Sequence, residues 1–131
     1  MSAKINLSET ALALARSESE KLLAEVAGVT TVVVATVDGF DVASAIKGGA
    51  DAARIAALAS SIAAISTVVS EEAELGQGKS VIIDTESGFA IVHSVRRTDA
   101  ELVINVIAKN SAILGEVAYR TAQFARLLKA A

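Results

Sequence analysis

The chain has 131 residues, enough for one domain that buries about two-thirds of its unfolded surface without disulfides or metal. Its apolar fraction of 53% excludes a disordered tail or solvating linker, and its aromatic fraction of 3% leaves Val, Ile, Leu and Ala to build the core. A formal charge of −3, no cysteine and one histidine, His93, weigh against nucleic-acid binding and exclude thiolate chemistry and a multi-histidine metal site within one chain.

The first residues, Met1 to Leu7, show no apolar run, so no secretory signal is expected, and an intracellular, cytoplasmic location fits the cysteine-free composition. Ser8 can cap a first helix reaching to about Ala27, with Leu12, Ala15, Ser19, Leu22 and Val26 on its apolar face and Gly28 at its end. Val29 to Val37 is β-branched and reads as a strand. Asp38-Gly39 predicts a type I′ hairpin turn into a second strand, Phe40 to Ile46. After Gly48-Gly49, Asp51 opens a long second helix to about Leu75. Its acidic end, Glu71, Glu72 and Glu74, opposes the helix dipole and is expected to be solvated. Three strands follow, Ser80–Thr85, Gly88–Arg96 and Glu101–Ile107, joined by short turns that make antiparallel hairpins. Asn110 or Ser111 caps a last helix to about Lys129, with Ile113, Val117, Thr121, Phe124 and Leu128 on its apolar face. The order is αββαβββα, an α+β domain. Strands with apolar residues on both faces predict a sheet covered on both sides.

The second helix is the informative segment. Sixteen residues between Arg54 and Glu71 carry no charge. They span roughly 24 Å of helix and are too rich in Ser and Thr to predict a membrane span. One ridge, Ile55, Leu58, Ile62, Ile65 and Val69, is expected to cover the sheet. The opposite face is small: Ala53, Ala56, Ala57, Ser60, Ala63, Ala64 and Thr67. A surface helix normally carries charge there. A small neutral face suits close packing against a second copy, with Val81 and Ile83 of the adjacent edge strand completing the interface. The other reading is a neutral face in water.

Chemistry is poorly provided for. Gly76-Gln77-Gly78-Lys79-Ser80 imitates the end of a phosphate-binding loop, but Ala73 stands where the first glycine should be. The segment also runs from helix to strand, the reverse of the required context. His93 is read as a core or edge histidine. Arg96, Arg97 and Asp99 at a hairpin tip, with Glu71, Glu72 and Glu74, are candidate rim charges around a partner site. No catalytic residue, cofactor or metal is expected.

Four stretches resemble the Roadblock/dynein light chain family: Val32 to Ser44 around Asp38-Gly39-Phe40, Ala56-Ala57-Leu58-Ala59-Ser60-Ser61, Val81-Ile82-Ile83-Asp84-Thr85 and Ala112-Ile113-Leu114-Gly115. The likeness makes residues 1–131 a single domain, with its core over about 8–128. It implies a profilin-like five-stranded antiparallel sheet in the order 2-1-5-4-3, with the second helix on one face and the terminal helices on the other. It further implies a homodimer of paired second helices and extended sheets. The expected partner is a small Ras-like GTPase, which the protein would regulate or scaffold without catalytic residues of its own. A purely structural dimerisation module and a small-ligand sensor are the competing readings.

Overall fold

The structure, a computed structural model, describes residues 7–131. The expectation drawn from Met1 to Asn6 lies outside the described residues. Ser8 caps the first helix, its side-chain oxygen accepting from the Ala11 amide at 3.1 Å. This helix, α1, runs over Glu9–Glu25 and buries Ala11, Ala15, Ser19 and Leu22, with Val26 just beyond. Strands β1 (Val29–Thr36) and β2 (Asp41–Ile46) follow, then α2 (Ala52–Glu72), β3 (Ser80–Asp84), β4 (Gly88–Arg96), β5 (Glu101–Lys109) and α3 (Leu114–Ala130). The five strands form one antiparallel sheet in the order β2-β1-β5-β4-β3. The order αββαβββα and the strand order match the sequence reading.

Two local expectations are corrected. The β1–β2 turn is not type I′, because only Gly39 has a positive φ (95°) and Asp38 does not. The Gly39 amide donates to the Thr36 carbonyl and the Thr36 amide to the Phe40 carbonyl, which makes a three-residue loop closed by a left-handed glycine. The register shift between Val34 and Ala35 absorbs the extra residue. The cap of α3 is Ile113, without a side-chain bond, and not Asn110 or Ser111. Asn110 is occupied elsewhere, its amide side chain donating to the Glu86 carbonyl at 3.2 Å. Ile113 is exposed and does not join the apolar face of α3, which begins at Val117.

The sheet divides the interior unequally. On one side α1 and α3 cover Val32, Val34, Ile91, Val95, Leu102, Ile104 and Val106, and this is the main core. On the other side lies α2 alone, over two small clusters: Val33 and Ala35 against Ala56, and Val92 and Val103 against Ala59. Asn105 sits on this thinner side, between Val33 and Val92 in register, 5% exposed, with no hydrogen-bond partner for its Oδ1 among the described residues. An unpaired buried carbonyl costs about 1–3 kcal/mol. Asn105→Val removes it among β-branched neighbours and is expected to raise stability by about 1 kcal/mol in thermal melts. A lower melting midpoint would show that the side chain finds a partner in solution.

Candidate functional site

The helix α2 is rolled partway from the sequence expectation, so that both of its expected faces are divided between sheet and solvent. Asp51 caps it, its Oδ1 accepting from the Ala53 and Arg54 amides at 3.0 and 3.4 Å. Ala56 and Ala59 are fully buried against the sheet, and Ile55, Ser60, Ile62 and Ala63 are half-buried beside them. Four large residues face outward: Leu58 is 57% exposed, Ile65 65%, Val68 60% and Val69 57%. The reason is steric. The sheet face beneath α2 already carries Val33, Val92 and Val103. Alanines on the helix let the two layers close without overpacking. Gly39 joins this close approach, since a Cβ there would stand 3.1 Å from the Ser60 hydroxyl.

The small-residue face therefore does not form one outward surface. Ala56 is covered by the sheet, Ser60 and Ala63 are half-covered, and Ala53, Ala57, Ala64 and Thr67 remain exposed. The ridge expected to cover the sheet divides likewise: Ile55 and Ile62 turn inward, and Leu58, Ile65 and Val69 turn outward. Beside α2 lies β3, which among the described residues is hydrogen-bonded only to β4 and so forms an open sheet edge. Val81 packs on the α2 side of the sheet, and Ile83 shares its face and is 38% exposed. An apolar groove of about 330 Å³ runs between helix and strand, lined by Ile62, Ile65, Ser66, Val69, Ser70 and Val81. Leu75, 75% exposed, extends the apolar surface past the helix end.

A charge-free apolar helix face beside an unpaired strand edge is unusual on a surface left in water. Of the described helices, α2 alone has the length and apolar composition to cross a membrane. Its underside, however, is packed on the sheet, and Ala56 and Ala59 give it the contacts of a layer within a folded domain.

The candidate rim charges fall into two groups. Glu71, Glu72 and Glu74 are exposed at the end of α2, and Glu74 takes a positive φ of 56° as the chain leaves the helix. The hairpin charges are engaged within the chain. Arg97 grips Asp99 with two bonds, Nε to Oδ1 at 2.8 Å and Nη2 to Oδ2 at 3.0 Å, and also donates to the Leu128 carbonyl. The hydrogen bond from Arg97 holds the Asp99 carboxyl below its ordinary pKa. The Arg97 side chain is 6% exposed. Arg97 thus ties the β4–β5 turn to the end of α3, with its guanidinium engaged inside the chain. Arg96 donates from Nη1 to the Gly78 carbonyl at 2.9 Å, bracing the glycine-containing loop before β3. Among the described residues no group of three or more His, Asp or Glu side chains could hold a metal.

A family model described as the Roadblock/LC7 domain matches residues 17–108. No curated protein sequence matches the chain. Among solved structures, the Roadblock/LC7 domain from Streptomyces avermitilis superposes with a TM-score of 0.76 at 18% identity, over 86% of this chain and 92% of that one. The gliding protein MglB from Thermus thermophilus gives 0.82 at 14% identity, over 98% and 96%. An MglB structure with a tetrameric arrangement gives 0.82 at 16% identity, over 98% and 95%. At these identities the likeness establishes the fold.

Proposed function

The chain belongs to the Roadblock/LC7 domain family, and from that premise we propose that it is a homodimeric, cytoplasmic regulator or scaffold for a small Ras-like GTPase. The observation that carries the proposal is the charge-free outer face of α2 beside the open edge of β3. Two copies related by a twofold axis would pair their α2 faces and bring their β3 edges together. The groove along Ile62, Ile65, Val69 and Val81 would be filled, and the unpaired β3 backbone groups would find partners. That assembly suits a family member, and the tetrameric MglB arrangement is a chain of this fold that assembles.

The strip of each α2 face that the pairing leaves uncovered would then present a neutral platform flanked by Glu71, Glu72 and Glu74 from each copy. The platform is the surface assigned to the GTPase. Rim carboxylates of this kind tune association rate and salt dependence more than affinity. The role needs no bond-making by this chain: a partner that fixes the GTPase's own mobile elements changes hydrolysis without adding a catalytic group.

Calorimetry against the source organism's Ras-like GTPases, in GDP and GTP-analogue states with hydrolysis followed in parallel, tests the proposal. Binding to one GTPase with a preference for one nucleotide state is expected. Absence of binding to all of them, with the dimer intact, would favour a structural dimerisation module. GTP hydrolysis by this chain alone would overturn both readings.

A further inference from the structure

The α3 side of the sheet holds an open cleft of about 610 Å³ between α3 and the β3–β4 edge. Lys79 contributes from the residue before β3, His93 from β4, and Arg126 and Lys129 from the last turns of α3. Arg96 reaches the rim while its Nη1 is held by the Gly78 carbonyl. Val95 and Ala125 form an apolar floor, and no Asp or Glu lines the cleft. None of Lys79, Arg126 and Lys129 makes an ion pair among the described residues. On a chain of formal charge −3, this is an uncompensated patch of positive charge.

Packing against α3 does not account for it. The negative end of the helix dipole favours Lys129 and, in part, Arg126. It gives no reason for Lys79 to face them across the cleft with a half-buried imidazole between. Burial first, then Arg126 and Lys79, hold the His93 pKa below its ordinary value. The register partners of His93 in the sheet, Ser80 on β3 and Ile104 on β5, carry no charge to offset them. The isolated fold thus keeps like charges together, and an anion would relieve their repulsion.

The shape of the cleft selects among anions. No aromatic side chain lines it, so a nucleobase has nothing to stack on. The helix end bordering it is a C-terminus, so no free helix amides converge on a compact phosphate. The cations stand on two walls of an open trough, which suits several carboxylates strung along a chain. We propose that this cleft takes an acidic, carboxylate-rich peptide segment of a protein partner, laid between the β3–β4 edge and the C-terminal half of α3. The inference does not rest on the GTPase reading, because the site faces away from the outer side of α2.

His93 is the chain's one histidine, so its imidazole resonance can be followed by NMR without assignment ambiguity. Titration with an acetylated hexaglutamate peptide, at constant ionic strength, is expected to raise the His93 pKa, since the bound carboxylates favour the charged ring. Binding therefore tightens as pH falls through that pKa. Hexaglutamine should produce no shift, and tripolyphosphate should bind more weakly than hexaglutamate. The double variant Arg126→Ala, Lys129→Ala removes two exposed side chains and should keep the fold by circular dichroism, while binding the peptide about tenfold more weakly. An unchanged His93 titration at saturating hexaglutamate, an equal shift in the double variant, or tighter binding of tripolyphosphate would each overturn the proposal.

Discussion

Ile65→Glu is expected to convert the proposed dimer into a folded monomer. Ile65 is 65% exposed near the middle of the outward row of α2, and it lines the groove toward β3. In a single copy a glutamate there would stand in water, and glutamate is at least as good a helix former as isoleucine. The isolated fold therefore loses little, since about two-thirds of Ile65 is already in water. In a twofold dimer the same substitution enters the interface twice. Each carboxylate would lose its hydration without a cationic partner, because the stretch from Ile55 to Ser70 holds no charge at all. The effective penalty is several kcal/mol per ion. Two such penalties exceed the roughly 8 kcal/mol that separates a micromolar dimer from its monomers.

Light scattering should then report 13.4 kDa in place of twice that mass, with an unchanged far-ultraviolet circular dichroism spectrum. Leu58→Ala, at another outward position, should weaken association while leaving the monomer intact. An Ile65→Glu protein that stays dimeric would move the interface off α2. A monomeric unmodified protein at concentrations of tens of micromolar would remove the dimer itself, since an apolar interface of standard size holds at such concentrations.

The roll of α2 also marks where the sequence stopped being legible. Its β-branched runs, short turns and most helix caps carried the order and bounds of nearly every element, and α1 buried Ala15, Ser19, Leu22 and Val26 as its spacing indicated, with Ala11 in the core where Leu12 was expected. Periodicity gave α2 two faces, one large and one small, but not the roll by which the sheet cuts across both. That choice depends on the side chains of β1, β4 and β5, which reach the helix only in the folded sheet. Val33, Val92 and Val103 fill the space, and Ala56 and Ala59 are what fits above them. A signal was present in Gly39, which packs against α2 at Ala57 and Ser60 and so required small residues on that side. The place of Arg97 was hidden for a similar reason. A hairpin-tip arginine looks solvated until the last turn of α3 is seen to offer it the Leu128 carbonyl. The basic cleft around His93 was not legible either, because Lys79, His93, Arg126 and Lys129 are scattered in sequence and meet only through the β3–β4 pairing and the path of α3.

Gly88→Ala is expected to cause a large loss of stability through the space its methyl group would need. Gly88 opens β4 and pairs with Lys109 at the end of β5. A Cβ built on it would lie 2.2 Å from the Ala108 carbonyl oxygen and 3.1 Å from the Lys109 Cα. Both neighbours are backbone, so no side chain can swing aside. Its φ is not in the left-handed region, and the requirement for glycine is one of space alone. Relief has to come from separating β4 and β5 at this end. Gly88 cannot shift alone, because its carbonyl accepts from both the Thr85 amide and the Thr85 hydroxyl of the β3–β4 turn, at 2.8 Å each. The same strand end holds Phe89 and Ala108 in the main core. Overpacking against an immobile neighbour costs about 3 kcal/mol, which lowers the melting midpoint of a domain this size by roughly 10 °C. Ala substitution at Gly49, where nothing lies within 4 Å, is the matched control and should leave the midpoint nearly unchanged. Equal midpoints for the two variants would mean that the β4–β5 pairing opens at this end without cost, and that the sheet's rigidity resides in its central pairs of Val92 with Asn105 and Ile91 with Val106.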